Sequence, residues 1–207
     1  MAKKDFSVRL GSKSECRYLL EKHHYLSKIS KGFKSGYNFA LLSKSGDVVG
    51  VCIYTGFPVP ELVKGCFGLD RNDQEGFFEL SRLVIDPMVQ TSEHNIAGYF
   101  LAKSLKALRV KCNVRAVLSY ADTDFHKGTV YKATGFSDYG LTAPKKDFFI
   151  LQGNGAYIKH SRGKTKGVEG EWRNRSQKRR FLKIFDSGLN CLWAVENPTP
   201  HSEEAAK

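Results

Sequence analysis

The segment "SYADTDFHKGTVYKATGF", residues 119–136, decides the fold because one element ends in it and another begins. The apolar run "RAVLSYA" predicts a buried strand, and "KGTVYKAT" predicts a short helix that stops at Gly135. Asp122 closes the strand at its carboxyl end, where α/β proteins place their chemistry. Asp122 is therefore a candidate catalytic base or orienting acid, with a plain helix cap as the alternative.

The flanking sequence supplies further elements in a regular order. Ser12 and Glu15 form a capping box that opens a helix reaching about His24. The other predicted elements are a hairpin of "YNFALLS" and "VVGVCIY", an irregular stretch from Pro60 to Gly76, a central strand "FFELSRLVI", a long helix through Ile96, Phe100, Leu101, Leu105 and Leu108, and strands "DFFIL" and "RFLKIF". This order predicts an α/β fold with a mixed (α+β) sheet flanked by helices, in one domain over residues 1–207.

Charge is concentrated at the ends of the chain, which carries a formal net charge of +12. Residues 1–36 hold 9 Lys and Arg against 3 Asp and Glu, and residues 153–183 hold 10 against 2. Basic flanks around a nearly neutral middle favour a polyanionic partner, and double-stranded DNA is the leading candidate. A solubilising surface without a partner is the alternative.

The basic C-terminal extension, residues 153–183, is the predicted DNA-contacting segment within the domain. Aromatic Tyr157, Trp172 and Phe181 lie within it, and such a side chain can fill the gap left by a flipped base. The predicted phosphate contacts are Lys159, Arg162, Lys164, Lys166, Arg173, Arg175, Lys178, Arg179 and Arg180.

Composition also limits the class of protein. The first residues, "MAKKDFSVRL", lack the apolar stretch of a signal peptide, and no apolar run is long enough to span a bilayer, so we expect a cytoplasmic protein without a membrane partner. Five scattered cysteines form no C-x-x-C pair and are expected to be reduced, mostly buried thiols. The spacing of His, Cys and Asp fixes no metal site, and we predict none.

Two segments, "LVIDP" before a helix and "YKATGF" before a strand, resemble the GNAT acetyltransferase fold. The resemblance implies an acyl-CoA-type donor such as acetyl-CoA, with Tyr131 beside its thioester. It also places Asn95, Ala97 and Gly98 at a helix start that faces the donor's pyrophosphate. Ser92 and Asn95 stand where that family has Gln or Arg and Gly.

Six further segments resemble the Mom family of phage DNA-modification proteins, which are divergent GNAT relatives. They are "KHHYL", "FELSRLVI", "NIAGYFLAKSLKALR", "LSYAD", "GTVYKATGF" and "RSQKRRFLKIF", in the family order from about Lys22 to Phe185. Membership implies transfer of a small group, carbamoylmethyl in the best-known relative, to the exocyclic amine of adenine in double-stranded DNA. Such a modification protects phage DNA from restriction, and the protein would act in the host cytoplasm.

Polar residues in apolar surroundings complete the candidate site. Ser81 and Arg82 interrupt the central strand and, with Val84, are candidate donor contacts. Arg82 is predicted to bind a carboxylate or phosphate, or to pair with a neighbouring acid. His24 and Tyr25 are candidates for stacking on or hydrogen bonding an extruded base, with helix-end packing as the alternative.

Three functions stay open at this point. The first is a Mom-like DNA-modifying enzyme in which Asp122, Tyr25, Arg82 and Tyr131 are catalytic. The second is a conventional N-acetyltransferase acting on a modified base or a protein amine. The third is a DNA-binding relative without catalysis. A homodimer is compatible with each. For Tyr131 itself, the alternative to a hydrogen-bond donor beside the reacting carbonyl is an aromatic core residue.

Overall fold

The computed structural model describes residues 5–24, 32–160 and 165–196. In chain order the elements are β1 (Ser7–Leu10), α1 (Lys13–His23), β2 (Tyr37–Leu42), β3 (Val48–Gly56), α2 (Glu61–Phe67), β4 (Phe77–Ile85), α3 (Pro87–Ser92), α4 (Ile96–Lys111), β5 (Ala116–Asp122), α5 (Thr129–Ala133), β6 (Ser137–Leu141), β7 (Lys145–Leu151), β8 (Tyr157–Lys159), β9 (Gly170–Arg175) and β10 (Lys178–Ile184). The mixed α/β class predicted from the sequence is confirmed.

Seven strands form the main sheet in the order β1-β2-β3-β4-β5-β10-β6. All neighbours are antiparallel except β4 and β5, which run parallel. A parallel pair needs a crossover connection, and here α3 and α4 supply it. The parallel pair lies in the middle of the sheet, where both of its faces can be covered.

Helices cover both faces of the main sheet. Along β3, Val51 and Ile53 pack in the cluster that contains α1 side chains, whereas Cys52 and Tyr54 pack in the cluster that contains α4 side chains. Successive strand residues point to opposite faces, so α1 and α4 lie on opposite sides of the sheet. The capping box predicted at Ser12 is present and opens α1.

A second, three-stranded sheet is inserted between β6 and β10, which are themselves antiparallel neighbours in the main sheet. Its order is β8-β7-β9. The predicted strand "DFFIL" is present, but it is the centre of this small sheet rather than a strand of the main sheet, and β8 and β9 lie beside it. The chain therefore leaves the main sheet after β6 and returns to it at β10.

The stretch from Pro60 to Gly76 was predicted to be irregular, which is wrong in part, because it contains α2. Val63, Cys66 and Phe67 are buried at helical spacing and pack on Phe77 and the strands beyond it. Gly68, with φ of 70°, ends this helix. Its apolar face is short, and the charged and glycine residues around it hide the helical period.

All five cysteines are free, as predicted, and Cys16, Cys52 and Cys66 are buried. The Sγ atoms of Cys66 and Cys191 lie 3.7 Å apart, so the C-terminal segment contacts α2 there. The longest described helix, α4, has 16 residues, and none of the described helices has the length and hydropathy that crossing a bilayer requires.

Candidate active site

A cleft opens through the main sheet where β4 and β5 part. The two strands pair only over three residues, from Phe77 with Ala116 to Glu79 with Leu118. Beyond that point Ser119 Oγ still donates to the carbonyl of Leu80 across 3.1 Å. The remaining half of β4 forms one wall of a cleft of about 520 Å³. Side chains from both faces of the sheet line it, because α1 contributes to one side and α5 to the other.

A β-bulge interrupts β4 beside this cleft. Ile53 pairs with Arg82 and Tyr54 with Leu80, which leaves Ser81 as the extra residue. Ser81 Oγ donates to the carbonyl of Ile53 across 3.1 Å, and Arg82 Nη1 donates to the carbonyl of Ser81 across 2.6 Å. The two polar side chains that interrupt this strand are thus hydrogen-bonded, and both line the cleft.

Two neutral histidines face the same space. His24 is only 8% exposed, and burial, aided by the charge of Arg82, lowers its pKa to about 4. Burial also lowers the pKa of His126, while the nearby charge of Asp122 acts in the opposite direction. Both imidazoles are therefore uncharged near pH 7 and are able to accept a proton or a hydrogen bond.

Asp122 lies behind the cleft wall rather than on it. Its side chain is buried, with 7% exposure. One carboxylate oxygen accepts a hydrogen bond from Ser176 Oγ at 3.0 Å, and the other accepts one from the amide of Asp124 at 3.2 Å. The backbone carbonyl of Asp122 accepts hydrogen bonds from the amides of Phe125 and His126, each at 3.0 Å. Asp122 therefore fixes the turn that carries Phe125 and His126 to the cleft.

Tyr131 is both packed in the core and part of the cleft wall. It is 6% exposed and packs against Phe181 and Phe136, with ring centroids 5.0 and 5.8 Å away. It also lines the cleft, where its ring centroid lies 6.1 Å from that of His126. The predicted helix stop at Gly135 is present, with φ of 77°. A packed ring at the cleft wall holds its hydroxyl in a fixed position.

A groove of about 550 Å³ between α4 and α5 continues from the cleft and shares part of its lining, including Ala97 and Val130. Asn95 precedes α4 in the left-handed conformation, with φ of 58°. The first-turn amides of a helix, here those of Ala97 and Gly98, have no acceptor within the helix. The groove therefore joins a helix N-terminus suited to an anion to the interior of the cleft.

This chain matches one family of known proteins by its sequence. The family model of the Mom protein family matches residues 5–185. This chain belongs to the Mom family. No curated protein sequence matches it.

Solved structures with the same fold are GNAT acetyltransferases. A GNAT family acetyltransferase from Elizabethkingia anophelis with acetyl-CoA bound has a TM-score of 0.53 at 10% identity, over 88% of this chain and 100% of that one. An acetyltransferase from Bacillus subtilis in complex with CoA has a TM-score of 0.50 at 11% identity, over 87% and 99%. A ribosomal-protein-S5-alanine acetyltransferase from Vibrio fischeri has a TM-score of 0.50 at 12% identity, over 90% and 97%. The predicted GNAT-like fold is confirmed.

In this Mom family member, the predicted donor contacts come together. Ser81, Arg82, Val84, Ala97 and Tyr131 line the cleft, and Asn95 and Gly98 line the groove that continues from it. His24 lines the cleft as well, whereas Tyr25 lies outside the described residues. His126, Phe125 and Lys127 also line it, and they were missed, although they directly follow Asp122 in the chain. No group of three His, Cys, Asp or Glu side chains in the described ranges is arranged to hold a metal ion.

The basic extension divides into an exposed part and a part engaged in the fold. Lys166, Arg173 and Arg175 are exposed, and Lys159 is exposed but paired with Asp147. Arg173 also pairs with Glu171. Arg162 and Lys164 lie outside the described residues.

Nearer the main sheet, basic residues of this Mom family chain have structural partners. Arg179 bonds Asp138 at 2.9 Å and Glu196 at 3.0 Å, and Arg180 lies 4.5 Å over the ring of Trp193. Lys178 pairs with Asp122 in the strand register, and burial lowers its pKa. Phe181 was expected near DNA, which is wrong: it is fully buried in the core, because strand alternation turns it inward.

Proposed function

We propose that this chain transfers a small acyl-type group to the exocyclic amine of adenine in double-stranded DNA. The observation that carries the proposal is the match to the Mom family over residues 5–185, combined with a cleft that is lined from both faces of the sheet and contains two neutral histidines. A cleft open to both faces allows a donor and an acceptor to meet from opposite directions.

The donor side of the proposed site is the groove between α4 and α5. An acyl-CoA-type donor would lay its pyrophosphate against the first-turn amides at Ala97 and Gly98, where the helix dipole favours negative charge. Its acyl end would reach the bulge at Ser81, where the ladder with β5 has ended and the strand edge is free to pair with an extended ligand. The hydroxyl of Tyr131 would donate to the reacting carbonyl or to the leaving sulfur.

The acceptor side of the proposed site is the mouth formed by His24, Arg82 and Phe125. Adenine's amine is enclosed in a stacked pair, so a modifying enzyme needs the base turned out of the duplex. Phe125 is 53% exposed at the cleft, which supports stacking of its ring on such a base. Arg82 would hold a carbonyl or phosphate oxygen beside it.

The proposed chemistry needs one proton acceptor. With an acyl-CoA-type donor, the amine nitrogen attacks the thioester carbon, a C–N bond forms, the C–S bond breaks, and the sulfur leaves as a thiolate, which finally receives the proton that the amine has lost. The amine proton passes to His126, which burial keeps neutral and which faces the cleft. Asp122, whose carboxylate oxygens both accept hydrogen bonds, acts as the orienting acid that holds the His126 turn.

Exposed basic residues on the small sheet support DNA as the macromolecular partner. Their phosphate contacts would position the duplex without reading its sequence. Two hydrogen bonds join the segment after the small sheet to the end of β5. Ser176 donates to the carboxylate of Asp122, and Thr123 donates to the carbonyl of Gln177 at 2.8 Å. DNA held on the small sheet would therefore lie beside the acceptor mouth.

The second candidate function, a conventional N-acetyltransferase acting on a modified base or a protein amine, is favoured by the intact groove at α4 and by the fold shared with a structure that has acetyl-CoA bound. It differs from the first in its acceptor. It requires no contribution from the basic small sheet.

Protection of plasmid DNA from restriction tests the proposal. Plasmid from cells expressing the wild-type chain should resist enzymes whose sites contain adenine and should be cut by enzymes whose sites contain only G·C pairs. Plasmid from cells expressing Asp122→Ala should be cut by both. Complete digestion of both plasmids by the adenine-reading enzymes would count against DNA modification and favour the second candidate.

A further inference from the structure

The two faces of the small sheet differ in chemistry. In the strand register Phe148 lies opposite Trp172, and Ile150 lies opposite Ile158, so these apolar side chains share one face. The opposite face carries the charged pairs of Asp147 with Lys159 and of Glu171 with Arg173. The charged face therefore holds four basic residues against two acids, and the other face presents hydrophobic surface together with Lys146.

Trp172 dominates the apolar face. It is 58% exposed, and Ile158 beside it is 57% exposed. Its ring rests on the buried ring of Phe148, with centroids 5.2 Å apart, which holds an exposed indole in a defined position. A braced, protruding apolar side chain has the form of the wedges that DNA-bending proteins insert between base steps.

The other aromatic residues of the extension do not have this form. Tyr157 lies on the charged face, where the Arg173 guanidinium stacks 4.6 Å from its ring centroid. Phe181 is buried in the main core. Of the three aromatic side chains that the sequence offered, only Trp172 combines exposure with a rigid support on the apolar face.

Trp172 is also close to the candidate site along the chain. Ser176, whose hydroxyl donates a hydrogen bond to Asp122, lies four positions after Trp172. At the rise of an extended strand this corresponds to roughly 13 Å. The depth of the major groove is about 8.5 Å, so a base turned out at the wedge has a comparable distance to cover before it reaches the cleft.

Charge favours DNA as the partner of the small sheet. Strands β7, β8 and β9 carry five basic residues, Lys145, Lys146, Lys159, Arg173 and Arg175, against two acids, Asp147 and Glu171. The small sheet as a whole has a net charge of +3, with Lys146 on the face of the exposed indole, and this suits a nucleic acid, whose bases stack and whose phosphates are negative. A second copy of this chain would bring the same positive charge and be repelled.

We infer that Trp172 is the wedge that enters the base stack when this chain binds duplex DNA, opening the step from which the target base is turned out. The inference rests on the proposed function for its substrate. It assigns to Trp172 a positioning role, since the indole contacts DNA beside the reacting base.

Tryptophan emission tests this directly, because the chain has two tryptophans, Trp172 and Trp193. In W193F, Trp172 is the only tryptophan, and binding of sonicated plasmid duplex at low salt should quench its emission at least about twofold and protect it from acrylamide, as stacking on bases requires. In W172F, the remaining Trp193 should keep its emission. Unchanged emission of W193F with bound duplex would overturn the inference.

A variant at the wedge separates positioning from folding. W172A should lower the modified adenine of plasmid DNA at least about fivefold, the share that a stacking contact of 1–3 kcal/mol supplies, while W172F should restore most of it. Y18A is the matched control, since Tyr18 is a similarly exposed aromatic, at 61%, on α1. Equal modification by W172A and the wild-type chain would overturn the inference.

The outcomes distinguish the wedge from the function on which it rests. Quenching in W193F without any modified adenine in wild-type plasmid would defeat the proposed function and keep the wedge as a DNA contact. Modified adenine without quenching would defeat the wedge alone. If W172A lowers the mass in sedimentation and duplex leaves W193F emission unchanged, the apolar face is a contact between copies, and the inference is wrong.

Discussion

Ser176 Oγ lies 3.0 Å from Asp122 Oδ2 and donates a hydrogen bond to it. This bond joins the last residues of the inserted small sheet to the carboxyl end of β5. Directly after Asp122 comes the turn that carries Phe125 and His126 to the cleft. The element proposed to hold DNA and the turn proposed to accept the base are therefore connected through one buried carboxylate.

Removing either partner of this bond should affect both stability and modification. Ser176→Ala removes one bond to a charged acceptor and should lower the free energy of unfolding by about 1–3 kcal/mol. Asp122→Ala removes the bonds of both oxygens and should cost more. Urea unfolding measures both. A variant as stable as the wild-type chain would show that the carboxylate does not hold the turn.

Stability should fall in acid because of the buried histidines. The pKa of His24 is lowered from 6.5 to about 4, so the unfolded chain binds a proton that the folded chain does not between those values. The free energy of unfolding therefore keeps its full value, with respect to His24, above pH 6.5. It decreases as the pH falls from 6.5 towards 4, because the unfolded chain then gains the proton. Urea midpoints at neutral pH and pH 5 should show the loss, which His24→Gln should reduce. His126, whose pKa burial also lowers, should account for part of the remainder.

Donor binding should depend on the start of α4. Acetyl-CoA at 100 times its Kd should raise the free energy of unfolding of the wild-type chain by about 2.7 kcal/mol. Ala97→Glu puts a bulky negative charge where the cleft and the groove meet and should abolish this gain. Val110→Glu is the matched control, since Val110 is 82% exposed on the same helix. Loss of the gain in both variants, or in neither, would contradict the proposed donor site.

The small sheet should set the salt dependence of DNA binding. Replacing Lys166, Arg173 and Arg175 with Gln should weaken binding to every duplex and flatten the plot of log K against log salt by about 0.9 for each lost phosphate contact. Lys44, Lys106 and Lys111, replaced together, form a control of equal charge outside that sheet. An unchanged slope in the first variant would place the DNA contacts elsewhere.

Local signals explain what could be predicted from the sequence. The capping box of Ser12 and Glu15, the apolar run of β4 and the glycine stop at Gly135 all depend on neighbours in the chain, and each appears as predicted. The acid at the end of β5 directly precedes the turn that lines the cleft. Its backbone and side-chain contacts with the following turn are also local.

Non-local pairing explains what could not be predicted. The residues "DFFIL" do not indicate whether β7 pairs with β8 and β9 or joins the main sheet. Phe181 and its basic neighbour Arg180 differ in environment only because of strand alternation. Phe181 points into the core, and Arg180 lies against Trp193. His126 was missed because its site exists only once β4 and β5 part and α1 brings His24 across the gap.

Mass spectrometry of nucleosides tests the central claim most directly. Plasmid DNA from cells expressing the wild-type chain, His126→Gln or Asp122→Ala would be digested to nucleosides. A heavier deoxyadenosine is expected with the wild-type chain, and little or none with either variant. Its mass identifies the group, because carbamoylmethyl exceeds acetyl by one N–H. Unmodified nucleosides from all three, with wild-type protein folded and bound to DNA, would contradict the account.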